Sequence, residues 1–174
     1  MAGRNRLPRG GRIDRSKPVS IAFNGRTLTG FAGDTVASLL IAHDIHFVGR
    51  SFKYHRPRGI FSAGAEEPNA LIEVRTAARR EPNTRATMVE LFDGLDAASQ
   101  NRWPSLKFAV QSINRLMSPF FSAGFYYKTF MWPAKFWERV YEPIIRRSAG
   151  LGRGATEPDP DHYEKVFAHC DVLV

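Results

Sequence analysis

The stretch PVSIAFNGRTLTGFAGDTVASLLIAH, residues 18–43, determines the fold class of this 174-residue chain. Apolar and polar residues alternate over residues 19–23, as a half-buried strand requires. Asn24-Gly25 supplies the two positive-φ residues of a tight turn, so RTLTGF (26–31) is expected to return as a second strand. The opening of the chain is therefore predicted to be a β-hairpin.

A helix is predicted directly after the hairpin. Asp34 is its expected N-cap, because a short polar side chain there accepts a hydrogen bond from a free backbone N–H group of the first turn. Its apolar face follows the spacing i, i+3, i+4 and i+7 and consists of Val36, Leu39, Leu40 and His43. We expect this face to cover the hairpin.

Two later apolar runs complete a small α+β domain. ALIEV (70–74) and ATMVEL (86–91) are predicted strands, and the turn residues Asp93-Gly94 follow the second run. The order of hairpin, helix, long loop and later strands matches a β-grasp over residues 18–94.

The remaining segments differ from this domain in composition. Residues 1–17 are rich in Arg, Gly and Pro and are predicted to be a flexible basic leader. Residues 95–149 form an aromatic-rich extension, with helices expected to begin at Pro104 and Ala134 and the second to be limited by Pro143. Residues 150–162 have the composition of a linker, and the chain turns apolar again at 163–174.

Charge and cysteine content exclude several classes of protein. The net charge is +8, but residues 1–60 hold eleven basic and three acidic residues and 61–174 hold fourteen of each. Cys170 is the one cysteine, which excludes an intramolecular disulfide and multi-cysteine metal sites, and its apolar context predicts a small buried side chain. No apolar run reaches the roughly 20 residues of a bilayer span, so a cytoplasmic protein without membrane attachment is expected.

Five stretches resemble one known family, the α subunit of heterotetrameric sarcosine oxidase. They are GRIDRSKP (11–18), GRSFKYHRPRGIFSAGAEEPNAL (49–71), WPSLK (103–107), SPFFSAGFYYKTFMWPAKFWE (118–138) and AHCDVLV (168–174). The resemblance implies that residues 18–94 are its N-terminal ferredoxin-like domain and that 163–174 are the truncated start of a dinucleotide-binding domain.

The same resemblance implies an enzyme of which this chain is a non-catalytic part. In the family, the α subunit continues into nicotinamide-dinucleotide and folate-binding domains, FMN lies at the interface with an FAD-bearing β subunit, and two small subunits complete the complex. That enzyme demethylates sarcosine to glycine and yields hydrogen peroxide, with the one-carbon unit captured by tetrahydrofolate. None of the sites for FAD, FMN, NAD or tetrahydrofolate is expected within these 174 residues.

The loop of the ferredoxin-like domain has no cysteine. A plant-type [2Fe–2S] ferredoxin uses C-x4-C-x2-C and a distant fourth cysteine. In this sequence Ser62, Glu67 and Ala70 take the loop positions, and Thr87 takes the fourth. Hard oxygens replace thiolates poorly and alanine has no ligand atom, so no cluster is expected and Ser62, Glu67 and Thr87 are interpreted as ordinary polar residues.

The preceding basic loop has three interpretations. Arg50, Lys53, Arg56 and Arg58 alternate with aromatic residues, a mixture that grips phosphates and stacks on bases, docks on an acidic partner surface, or is simply solvated. No recognised nucleic-acid motif accompanies them, and the resemblance favours contacts between domains or subunits.

The aromatic block over residues 120–137 is expected to pack on another domain or subunit, rather than to form a cofactor pocket or a membrane-surface helix. Two other functions stay open: a subunit of a related amine or opine oxidoreductase, and a free-standing basic module that binds RNA or another polyanion. A ferredoxin-like electron carrier is disfavoured because its thiolates are missing.

Overall fold

The computed structural model describes residues 3–76, 79–116, 118–120, 124, 132–150, 152–158, 162–167 and 169–172. The first elements are β1 (Asp14–Phe23), β2 (Arg26–Ala32), α1 (Val36–Ala42), β3 (Gly49–Arg50), β4 (Pro57–Arg58), β5 (Leu71–Thr76), β6 (Arg79–Arg85) and β7 (Asp96–Ser99). The extension adds 3₁₀ turns at Val110–Arg115, Ser118–Phe120 and Ala134–Phe136, a π-helical turn at Trp137–Tyr141, and α2 (Glu142–Ala149).

Five strands form a mixed sheet in the order β2-β1-β7-β5-β6. β1 is antiparallel to β2 and parallel to β7, whereas β5 is antiparallel to both β7 and β6. β3 and β4 form a separate two-stranded ribbon. α1 buries Val36, Leu39 and Leu40 in a core shared with Ile21 of β1 and Ile72 of β5. This arrangement confirms the predicted α+β class and β-grasp order.

The hairpin turn has the predicted geometry and a second role. Asn24 and Gly25 have φ values of 52° and 77°, as the turn requires. The side-chain oxygen Oδ1 of Asn24 also accepts hydrogen bonds from the N–H of Ser99 and from Nη2 of Arg102, both at 2.9 Å. The turn between β1 and β2 is thereby connected to the end of β7.

The N-cap of α1 is Thr35 and not the predicted Asp34. Thr35 accepts a hydrogen bond from the N–H of Ser38, whose hydroxyl in turn accepts one from the N–H of Thr35. Asp34 is buried one residue earlier, where it accepts hydrogen bonds from the N–H of Phe31 and the hydroxyl of Ser38. The sequence could not distinguish the two positions, because aspartate and threonine are both favoured N-cap residues.

The basic leader is attached to the domain over much of its length. β1 begins at Asp14, so residues 14–17 of the predicted leader belong to the sheet. Arg6 forms an ion pair with Asp34 at 2.7 Å and lies 5.3 Å from the centroid of the Phe31 ring. The N–H of Asn5 also donates to a carbonyl at the end of α1. Composition alone did not show this, because the partner carboxylate lies 28 residues away in the sequence.

The strand predicted over residues 86–91 is wrong. The structure instead has a strand directly before these residues: β6, whose sequence RREPNTR is polar and contains Pro82. β6 occupies the edge of the sheet, where proline and charged residues are tolerated because one side of the strand needs no partner. β7, with the sequence DAAS, was also missed: its small side chains lack the β-branched signature of a strand. It lies beyond the predicted domain boundary at residue 94.

The extension begins with a loop in place of the predicted helix at Pro104. The N–H of Val110 donates to the carbonyl of Trp103, and helical structure begins only at residue 110. The second prediction ends too early: α2 continues to Ala149 with Pro143 in its first turn, where a proline needs no N–H partner. Most of the aromatic block 120–137 lies outside the described residues.

The last segment gives no support for a buried thiol. Cys170 is exposed, contrary to prediction, and its described neighbours carry no strand that could cover it. Within the described ranges, every helix is too short or too polar to cross a membrane.

Candidate functional site

Ser62, Glu67, Ala70 and Thr87, the residues predicted to occupy the cysteine positions of a plant-type cluster site, lie close together in the structure. Glu67, Ala70 and Thr87 are buried, and Ser62 is partly buried. The hydroxyl of Thr87 donates to the carbonyl of Gly64 at 2.7 Å, and so closes the loop from the side of the fourth position. The structure therefore places these four residues around one loop.

Glu67 differs from the ordinary polar loop residue that was predicted. Its side chain is buried, with the residue only 1% exposed. Oε2 accepts hydrogen bonds from the N–H groups of Phe61 (2.7 Å) and Ser62 (2.6 Å), and Oε1 accepts them from those of Asn69 (2.7 Å) and Ala70 (3.0 Å). The carboxylate therefore joins the two ends of the loop.

The charged form of Glu67 is strongly favoured. Burial by itself raises the pKa of this carboxyl group, but the backbone N–H donors of Ser62, Asn69, Phe61 and Ala70 together outweigh burial and lower the pKa to about 2. Glu67 is thus a carboxylate at all physiological pH values.

These side chains do not fit an iron–sulfur cluster. Ala70 has no ligand atom, the Thr87 hydroxyl is engaged with a carbonyl, and the Ser62 hydroxyl lies 3.4 Å from the Glu67 carboxylate. Iron in such clusters is held by thiolates, and none of these positions offers one. Across the described residues, no group of three or more His, Cys, Asp or Glu side chains is placed to hold a metal ion.

The four basic residues of the preceding loop line one cavity of about 530 Å³. The Lys53 ammonium and the Arg56 guanidinium each lie 5.0 Å from the centroid of the Tyr54 ring. Arg58 donates to Oδ1 of Asn69 at 2.9 Å, which connects this cavity to the Glu67 loop.

Arg50 is engaged within the chain. Its Nε donates to the carbonyl of Leu106 at 2.8 Å, and its other nitrogens donate to the carbonyls of Leu106, His55 and Lys107. The guanidinium therefore holds the start of the extension against the basic loop. It also occupies the Leu106 and Lys107 carbonyls, which a helix beginning at Pro104 would use as acceptors for its own N–H groups.

A larger cavity of about 990 Å³ lies between the end of the sheet and α2. Its lining is rich in arginine: Arg75, Arg102, Arg146, Arg147 and Arg153, together with the acidic Glu73 and Glu142. Burial, together with repulsion from Arg75, lowers the pKa of Arg102. The sequence did not point to this cavity, because its arginines are spread over almost 80 positions.

Comparison with known proteins identifies the family. Residues 16–102 match the family described as a 2Fe-2S iron-sulfur cluster binding domain. The match covers half of the chain, and the chain belongs to this family.

Whole-chain similarity points to a particular kind of subunit. The chain is 63% identical over 169 residues to sarcosine oxidase subunit alpha of Rhizobium meliloti (strain 1021), covering 97% of this chain and 17% of that relative. It is 45% identical over 91 residues to sarcosine oxidase subunit alpha of Corynebacterium sp. (strain U-96), covering 51% of this chain and 9% of that relative. The predicted resemblance to sarcosine oxidase α subunits is confirmed, and the chain spans less than a fifth of the length of these relatives.

A solved structure, L-proline dehydrogenase from P. horikoshii, shows a weaker likeness. It has a TM-score of 0.39 and 25% sequence identity, and the match covers 50% of this chain and 16% of that one.

Proposed function

We propose that this chain is the N-terminal segment of a sarcosine oxidase-type α subunit and acts there as a non-catalytic scaffold. The observation that carries the proposal is the 63% identity sustained over 97% of the chain, from leader to extension. The scaffold role is supported by the donor set of the loop, which has no thiolate for electron-transfer iron.

The proposed activity belongs to the complete enzyme. It is the oxidative demethylation of sarcosine to glycine with formation of hydrogen peroxide and methylene-tetrahydrofolate, in the cytoplasm. FAD, FMN, NAD and tetrahydrofolate would be bound outside this segment, by the remainder of the α subunit and by the flavoprotein β subunit and small subunits. The segment itself is proposed to bind no cofactor.

The exposed apolar side chains of the extension support a scaffold that packs on other parts of the enzyme. Phe108 is 68% exposed, Ile113 60% and Leu116 78%. Several large apolar side chains left exposed within nine residues of sequence are typical of a segment that packs on a partner. Because Arg50 holds the basic loop against the extension, the basic loop and the apolar side chains of the extension would contact the same neighbouring domain or subunit.

Copurification tests this function. The full-length protein, tagged and expressed with its neighbouring genes, is expected to retain bound flavin and to release hydrogen peroxide when sarcosine is added. The double variant I113D/L116D should lose most of the associated flavoprotein, because it places two charges in the apolar contact. L7D is the matched control, since Leu7 is 76% exposed but lies in the leader. Purification of the wild type without any flavoprotein would contradict the proposal.

The two alternatives give different results in related assays. A related amine oxidoreductase would prefer another secondary amine, such as proline, over sarcosine in kcat/KM. A polyanion-binding module is favoured by the basic and aromatic residues around Tyr54, and it would bind single-stranded RNA with an affinity that falls steeply with salt. Absence of RNA binding at low salt would remove that alternative.

A further inference from the structure

The Glu67 loop is built as an anion site. Two pairs of backbone N–H groups, from Phe61 and Ser62 on one side and from Asn69 and Ala70 on the other, converge on the same carboxylate at 2.6–3.0 Å. Converging backbone N–H groups in a loop form a concave nest that binds anions. Here the occupant is the chain's own side chain.

We infer that the Glu67 carboxylate is the resident anion of this loop and replaces, from within the chain, the anionic cluster around which loops of this family are organised. This inference goes beyond the proposed scaffold function and does not depend on which enzyme the segment belongs to.

Charge explains why a carboxylate occupies this place. A cluster held by thiolates is an anion, and the neutral residues Ser62, Ala70 and Thr87 would leave the inward-facing N–H groups without a negative partner. An unpaired buried N–H group is costly, and four in one loop would open it. Glu67 satisfies all four.

The geometry also shows why Glu67 is not a ligand waiting for a metal. A carboxylate has about four acceptor positions, and four N–H donors occupy them. A cation could bind only by displacing those donors. The side chain therefore acts on the backbone of its own loop.

The rest of the site agrees with a closed structural loop. The Thr87 hydroxyl donates to the Gly64 carbonyl, and the N–H of Ala86 donates to the Ala70 carbonyl at 2.9 Å. Nε of Arg85 donates to the Glu67 carbonyl at 3.2 Å. The segment that would bring the fourth cysteine to a cluster thus closes the loop by hydrogen bonds.

Hydrogen–deuterium exchange on the full-length protein, in whatever assembly it purifies, tests this inference locally. E67A is expected to speed exchange of the amides at 61–62 and 69–70 by at least about tenfold, because each loses its acceptor. E66A is the matched control: Glu66 is the adjacent, exposed residue, and its carboxylate accepts from the N–H of Gly64 and from none of these four amides, so their exchange should change little.

Chemical rescue separates an anion site from simple packing. E67A removes one carbon and the carboxylate, a group the size of acetate. Acetate on the order of 0.1 M should restore much of the lost protection by mass action, whereas chloride at equal ionic strength should not. E67Q keeps the shape and one neutral acceptor oxygen but turns the other oxygen into an NH₂ donor, so one of the two pairs of amides should lose its protection.

Three results would overturn the inference. The first is that the amides at 61–62 and 69–70 exchange as slowly in E67Q and E67A as in the wild type. The others are that E66A speeds their exchange as much as E67A does, or that acetate does not slow their exchange in E67A. If E67A fails to fold, E67Q and anaerobic reconstitution of the wild type with iron and sulfide remain as tests. Uptake of two irons into the wild-type loop, with increased exchange at 61–62 and 69–70, would contradict the inference, and no uptake is expected.

Discussion

Replacing Arg6 by alanine is expected to destabilise the β-grasp domain, although Arg6 lies in a leader whose composition indicates flexibility. Nη1 and Nη2 of Arg6 contact the two oxygens of Asp34 at 3.0 and 2.7 Å. The two side chains are only 12% and 1% exposed. The variant would leave a buried carboxylate with hydrogen bonds from the Phe31 N–H and the Ser38 hydroxyl but without a cation.

The expected magnitude follows from this geometry. Removing one partner of a buried ion pair costs about 3–5 kcal/mol. Because Asp34 keeps two hydrogen bonds, we expect the lower end, about 3 kcal/mol. For a domain of roughly 100 residues, each kcal/mol lowers the melting temperature by about 4–8 °C, so R6A should melt about 12–24 °C below the wild type.

Thermal and urea unfolding followed by far-ultraviolet circular dichroism would measure this difference. R9A is the matched control, because Arg9 is an exposed arginine of the same leader. In a D34N background the charge to be neutralised is absent, and R6A should then cost less than about 1 kcal/mol. Equal melting temperatures for R6A and R9A, or equal costs of R6A in both backgrounds, would refute the reasoning.

Three further predictions concern the loop, the turn and the extension. Because the pKa of Glu67 falls from its ordinary value of 4.5 to about 2 on folding, its contribution is complete above pH 4.5 and is lost as the pH falls toward 2. The free energy of unfolding of the wild type and of E67Q should be measured between pH 4.5 and pH 2. The difference between them should shrink by at most about 1.4 kcal/mol per pH unit as the pH falls, and a difference that does not change with pH would contradict this prediction. For Asn24, the free energy of unfolding should be highest for N24D, lower for N24G and lowest for N24A, which should lie about 2–4 kcal/mol below the wild type. Aspartate keeps the acceptor oxygens, glycine keeps only the ability to adopt a positive φ, and alanine keeps neither. Equal free energies of unfolding for N24A and N24D would contradict this prediction. R50K should speed tryptic cleavage after Lys107 about tenfold while R56K leaves it unchanged, because Arg50 donates a hydrogen bond to that carbonyl and Arg56 lies against the Tyr54 ring instead. Equal cleavage in both variants would count against the assignment.

The parts of the fold that could be predicted from the sequence are those set by neighbouring residues. The Asn24-Gly25 turn and the apolar face of α1 each depend on a few consecutive positions, and both are present in the structure, except that the predicted His43 is the C-cap of α1 and not part of its buried face. β6 and β7 could not be predicted in this way. Their residues are polar or small, and they become strands because the neighbouring strands of the sheet satisfy their backbone groups.

The candidate site shows the same division. The spacing of a plant-type ferredoxin selected Ser62, Glu67, Ala70 and Thr87, and in the structure these residues lie around one loop; that they correspond to the four cysteine positions stays a prediction. The role of Glu67 depends on N–H groups that carry no sequence signal, since every residue except proline has one. The sequence offered one sign of this role: Glu67 lies among small residues in a loop whose other acidic residue is the exposed Glu66.

The structure also changes the meaning of the positive charge. Of the eleven basic residues in the first 60 positions, Arg6 neutralises a buried carboxylate and Arg50 binds carbonyl groups of the extension. Both therefore stabilise the fold, and only the charges that face outward, such as Arg56, are available to a partner. Leader, domain and extension are thus joined by basic side chains, and the loop at 61–70 is joined by the Glu67 carboxylate. These contacts come from the chain's own side chains, and they connect segments that are far apart in the sequence.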